Sequence, residues 1–152
     1  MAGPLANWEA YWAQDDALFR SETGMPSCSP TAMIEQYRGT MPALPANRSN
    51  QLWMHSGSWW IQWDDYLADG GDPESLDGYV TWSQQRQAVA LAHATRVSKA
   101  RFPGIGGIIF WMGHDLYPVP SNNSIIDFHG NPKPAVAAIA EVFHATAEAC
   151  RE

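Results

Sequence analysis

The run Gly106-Gly107-Ile108-Ile109-Phe110-Trp111 restricts the fold more than any other stretch of this 152-residue chain. It has no polar member and no alternation, so as a strand it offers both faces to apolar neighbours. Strands of that kind belong to parallel sheets covered by helices. A second, shorter strand is expected over residues 17–21. Ser29 as cap, Pro30 at the first helical position and Gly39 as stop define a helix after it. Ile34 and Tyr37 are expected to face the core from that helix. Thr81 and Gln84 fit a capping box opening a long helix that ends at Pro103-Gly104. The turn His129-Gly130-Asn131-Pro132-Lys133 then leads to a last helix, opened by Pro134, with Val136, Ile139, Phe143 and Ala147 as its inward stripe. Strands alternating with helices in this order imply a parallel α/β fold.

Between the two strand–helix pairs lies a long irregular stretch. Residues 39–80 carry Pro42, Pro45, Gly70-Gly71 and Pro73, with no sustained period of 2 or 3.6. Loops of this length in compact domains are functional or mobile. Five of the eight tryptophans (Trp53, Trp59, Trp60, Trp63 and Trp82) fall between residues 53 and 82, in a polar setting. Such a segment suits a sugar-binding surface, because sugar rings stack their C–H faces on aromatic planes while hydroxyls reach polar neighbours.

Charge and composition exclude several classes. A net charge of −7 argues against nucleic acid or an anionic membrane as partner. No apolar run approaches the roughly 20 residues of a membrane span. The first twelve residues have neither a basic nor an apolar region, unlike a signal peptide. Cys28 and Cys150 form no CxxC pattern and are expected as two unpaired thiols. His55, His93, His114, His129 and His144 show neither HxxxH nor HExxH spacing, so no metal site and no cofactor are expected.

Chemistry points to two strand ends. Glu22 follows the first expected strand and Asp115 lies four residues after Trp111, and catalytic groups of parallel α/β folds gather at carboxyl ends of strands. The segment Phe19-Arg20-Ser21-Glu22-Thr23-Gly24 resembles the nucleophile segment of family two of the glycoside hydrolases, which includes β-mannosidases, β-galactosidases and β-glucuronidases. Residues 106–135, GGIIFWMGHDLYPVPSNNSIIDFHGNPKPA, resemble the last barrel strand and final helix of the same family. The likeness extends over residues 17–143. It implies the last two βα units of a (β/α)8 TIM barrel, with the Trp-rich loop as an insertion. The implied divisions are a lead-in at 1–16, a strand and helix with the nucleophile at 17–39, an active-site loop at 40–80, and helix, last strand and final helix at 81–152.

The resemblance implies that Glu22 is the catalytic nucleophile, that Trp111 lines the subsite for the sugar to be cleaved, and that Asp115 helps shape that pocket. His55, in Leu52-Trp53-Met54-His55-Ser56-Gly57, matches a loop histidine near the pocket of mannosidase-like members, and Trp53 is counted with the sugar-binding residues. Thr23 replaces the aromatic residue that often follows the nucleophile there. Met112-Gly113-His114 replace the Gln-x-Asn that often follows the strand tryptophan. A retaining glycosidase needs an ionised carboxylate and a protonated one about 5–5.5 Å apart. The nucleophile also needs donors or a cation beside it. Arg20 either supplies one or belongs to the barrel wall.

The second carboxylate has no candidate within the chain. Asn7-Trp8-Glu9 resembles the family's Asn-Glu pair, but twelve residues between Glu9 and Glu22 are too few for one βα crossover. Asp64-Asp65 falls in the Trp-rich loop. A full barrel takes about 250 residues, so the sequence is expected to be the C-terminal part of a longer retaining exo-β-glycosidase, β-mannosidase-like, inactive by itself. Its expected partners are a carbohydrate substrate and the N-terminal remainder of the same catalytic domain. Two other functions compete, a non-catalytic carbohydrate-binding module and a small α/β interaction domain.

Overall fold

A computed structural model describes residues 5–55 and 57–151. Residues 1–4 of the expected lead-in and Ser56 of the expected loop lie outside the described residues, as does Glu152. The elements run α1 (Leu5–Ala13), β1 (Arg20–Thr23), β2 (Ser27–Cys28), α2 (Thr31–Tyr37), α3 (Gln51–Met54), α4 (Trp63–Ala68), α5 (Leu76–Ala100), β3 (Ile108–Phe110), β4 (Ser121–Asn122) and α6 (Pro134–His144), with a 3-10 turn at Ser58–Trp60. The chain is mixed α/β. Its described strands form a parallel pair, β1 with β3, and an antiparallel pair, β2 with β4, and they close no barrel.

The parallel pair is the frame of the site. Arg20 lies opposite Ile108 and Thr23 opposite Phe110, with an irregularity between the two positions. Backbone bonds extend the ladder at both ends: Gly106 N–H donates to Leu18 at 2.7 Å, and Trp111 N–H to Thr23 at 2.8 Å. β1 thus starts three residues later than the expected 17–21. Leu18 and Phe19 stay 74% and 51% exposed. β3 departs from expectation more sharply. Ile108 and Phe110 pack on the core, whereas Ile109, on the opposite face, is 52% exposed. Successive strand side chains point to opposite faces, and among the described residues helices cover only one face of this pair.

Helix α5 joins two cores. Its first half contributes Tyr79 and Val80 to a cluster with Cys28, Ile34, Trp53, Trp63 and Tyr66. Its second half contributes Ala88, Leu91 and Ala94 to a cluster with Trp8, Trp12, Met25 and Ile139. The helix begins at Leu76, not at Thr81. Its cap is Ser75, whose hydroxyl accepts the Gly78 N–H at 2.9 Å, the ordinary way of satisfying a free N-terminal donor. The expected 40–80 loop therefore contains α3, the 3-10 turn, α4 and the first turn of α5.

Three helix details also differ. Pro30 is the N-cap of α2 rather than its first residue, because the Ser29 hydroxyl donates to the Val119 carbonyl at 2.6 Å instead of capping. Tyr37 is 41% exposed at the end of α2 while Ile34 is buried; Gly39 follows at φ +61 and ends the helix as expected. In α6 the buried stripe is Ala135, Ile139 and Val142, leaving Phe143 53% exposed and Ala147 beyond the helix. The small faces of Ala135 and Ala138 meet α5, and Lys99 of α5 donates to the Val142 and Phe143 carbonyls at 3.0 and 2.6 Å.

Candidate active site

Glu22 near the end of β1 and Trp111 just after β3 lie at the adjacent carboxyl ends of the parallel pair, tied by the backbone bond from Trp111 N–H to Thr23. Trp111 does not line the cavity that holds Glu22. At the end of β1 Thr23 is buried and Glu22 exposed. Glu22 lines a small cavity of about 150 Å³ with Trp8, Tyr11, Trp12, Arg20, Thr23 and Gly24. Arg20, two residues earlier, shares this cavity. Its guanidinium pairs with the buried Asp15, which also takes Arg101 at 2.9 Å. It lies 5.3 Å from the Tyr11 ring centre and 5.6 Å from that of Trp12. The cation is thus fixed by one carboxylate and two aromatic faces.

Gly24 explains the Glu-x-Gly spacing physically. A Cβ on Gly24 would lie 2.5 Å from the Trp111 carbonyl oxygen and 2.7 Å from Nδ2 of Asn123. Only glycine lets the two strand ends approach this closely.

Beyond β3 the Trp111–Met112 peptide is cis and the Trp111 ring is 47% exposed. Trp60 meets it edge-on at 6.2 Å, and Trp59 meets Trp60 edge-on at 5.9 Å. The three rings form a row on the surface. The other loop tryptophans do not join it. Trp53 is fully buried, with its indole N–H donated to the Ala43 carbonyl at 2.8 Å, so it has no face left for a sugar. Trp63 is also core, and Trp82 turns its indole N–H to Asp69 at 3.0 Å.

Asp115 lies beneath the surface rather than on it. It is 1% exposed, accepts from Asn122 Nδ2 at 3.0 Å and faces the Lys133 ammonium at 3.9 Å. Lys133 is itself buried and donates to the hydroxyls of Ser27 and Ser124, both at 3.2 Å. Burial pushes the Lys133 ammonium below its usual pKa, and the Asp115 charge only partly offsets this. Gln87 of α5 completes the layer, accepting from Ser27 at 3.0 Å and donating to the carbonyls of Met25, Asn123 and Ser124. Asp115 therefore braces the loop after Trp111 and has no surface to touch a ligand. Lys133, Gln87 and Asn122 carry no sign of this role in the sequence beyond the position of Lys133 just before the final helix.

His55 is exposed at the end of α3 and lines a separate apolar cavity of about 260 Å³ with Met33, Ile34, Tyr37, Leu52 and Val119. Neither Glu22 nor Trp111 borders that cavity. Glu9 sits on α1, a helix held to α5 by a 2.7 Å bond from the Trp8 indole N–H to the Ala90 carbonyl.

No protein-family model and no curated protein matches the chain. Among solved structures it is similar to the β-D-mannosidase of Dictyoglomus thermophilum, with a TM-score of 0.70 at 23% identity over 90% of this chain. The fold is similar to part of that structure. The chain spans 17% of that protein's length.

Proposed function

We propose that the chain forms the last two βα units of a (β/α)8 barrel in a longer retaining exo-β-glycosidase, β-mannosidase-like in the sugar it releases. The observation that carries this reading is the placement of Glu22 and Trp111 at the adjacent carboxyl ends of two hydrogen-bonded parallel strands. The barrel fold collects its catalytic groups at that end, and the likeness to part of a β-mannosidase supports the same assignment. Residues 17–39 make the nucleophile unit, 40–80 the active-site loop and 81–152 the final unit, with 1–16 leading in.

In this reading a Glu22 carboxylate oxygen attacks the anomeric carbon of a sugar stacked on Trp111. The bond to the leaving oxygen breaks as a protonated carboxyl group elsewhere in the longer protein delivers its proton. The resulting glycosyl ester on Glu22 is then hydrolysed by water, which gives its proton to that same group. Arg20 supplies a fixed positive charge in the Glu22 cavity.

The test is Glu22→Gln in the full-length protein. Loss of a covalent nucleophile is expected to lower kcat by several orders of magnitude while sugar binding persists. Undiminished turnover rejects the assignment. The exposed aromatic row also favours a second reading, a carbohydrate-binding module. A full-length protein that binds sugar equally well with and without Glu22 and has no glycosidase activity supports that reading instead.

A further inference from the structure

Lys133 is a buried ammonium where packing alone calls for none. It is the N-cap of α6 and is buried. An apolar side chain of similar length would fill the same space without the cost of desolvating a charge. What the charge adds is direction. Its Nζ donates to the hydroxyl of Ser27, five residues after Glu22, and to that of Ser124, both at 3.2 Å. The same Nζ faces Oδ2 of Asp115, four residues after Trp111, at 3.9 Å. That oxygen is buried and accepts no hydrogen bond, so the ammonium is the charge that compensates it.

Two segments therefore meet on one side chain, the one that follows Glu22 and the one that follows Trp111. Gln87 crosses the same gap from α5. Its Nε2 donates to the Met25 carbonyl at 2.8 Å and to the Asn123 and Ser124 carbonyls, both at 3.1 Å. Between them β2 pairs with β4, Ser27 opposite Asn122. The two strand ends are joined from beneath by directed bonds rather than by apolar packing.

We infer that Lys133 is a positioning residue: through Ser27 and Asp115 it fixes where Glu22 stands relative to the sugar on Trp111. This rests on the glycosidase reading of those two residues. Lys133 touches no substrate, and its effect is confined to the attack by Glu22. A misplacement of about 1 Å in a reacting group costs roughly 100-fold in rate.

The experiment uses the full-length protein with Lys133→Met and Asp115→Asn together, which keeps an acceptor for Asn122 and leaves no charge of the pair unpartnered. Its kcat/KM for 2,4-dinitrophenyl β-mannoside, whose leaving group needs no proton, is measured in two backgrounds. One retains Glu22. The other is Glu22→Gly supplied with azide, whose nitrogen bonds to the anomeric carbon as dinitrophenolate departs with the electrons of the broken C–O bond. Azide diffuses to its own place and needs no positioning. The double substitution is expected to lower kcat/KM roughly 10- to 100-fold with Glu22 present and by less than about twofold with azide. Equal losses in both backgrounds indicate a general folding defect and overturn the positioning role, and so does no loss in either, while the glycosidase reading stands. A wild type inert on this substrate, or a Glu22→Gly variant that azide does not revive, contradicts the glycosidase reading and takes the inference with it.

Discussion

Gly24 and Cys28 are six residues from Glu22 or closer, and each carries a testable load. At Gly24 an added methyl meets backbone, the Trp111 carbonyl at 2.5 Å, so the strand ends must part. Overpacking of this kind costs about 1–3 kcal/mol. Gly24→Ala in the full-length protein is expected to lower both the melting temperature and kcat, because it moves Glu22 relative to Trp111. Gly113→Ala, where a Cβ meets nothing within 4 Å, is the control and is expected to leave the melting temperature unchanged. Equal melting temperatures for the two variants would contradict the tight approach. Cys28 is fully buried, and burial raises its thiol from 9.0 to about 11, with the Ser83 hydrogen bond opposing. Its folded pKa lies above the unfolded one, so its contribution is fully present below about pH 9 and is lost as pH rises through about 11. The linkage amounts to about 2–3 kcal/mol. Urea unfolding of this chain between pH 8 and 11 is expected to show a flatter stability loss in Cys28→Ala than in wild type. Identical slopes would remove Cys28 from the alkaline transition.

At the scale of elements, the long helix α5 sets the packing of both cores, so its cap matters more than its surface. Ser75→Ala removes the acceptor for the Gly78 N–H and is expected to cost about 1 kcal/mol, read as a lower urea midpoint; an unchanged midpoint would mean that water caps the helix equally well. The start of α5 also marks the limit of legibility. Gly70-Gly71 and Pro73 read as loop, and Thr81 with Gln84 imitates a start signal. What decides the boundary is tertiary: Tyr79 and Val80 are buried against Trp53 and Trp63, contacts no local pattern carries. The apolar run at β3 announced a strand, and a strand is there. Its burial on both faces is not realised, because among the described residues no layer covers Ile109, which is 52% exposed. Trp53 and Trp59 are both loop tryptophans in the sequence, six residues apart. Only the fold makes one core and the other surface. Asp115 likewise carries no local sign of burial, since its partner Lys133 is eighteen residues on.

At the scale of the whole molecule, the parallel pair leaves Leu18, Phe19 and Ile109 exposed, the apolar edge and face that further barrel strands would cover in the longer protein proposed above. The catalytic claim depends on that assembly, since Glu22 contributes only one of two required carboxylates. The most direct measurement traps the covalent intermediate. Full-length protein is incubated with 2-deoxy-2-fluoro-β-mannosyl fluoride, digested, and its peptides sequenced by mass spectrometry. A fluorosugar slows breakdown of the glycosyl ester, so the label marks the attacking carboxylate. One fluoromannosyl group, on Glu22, is expected. A label on Asp115, Asp64 or any carboxylate other than Glu22 would contradict it.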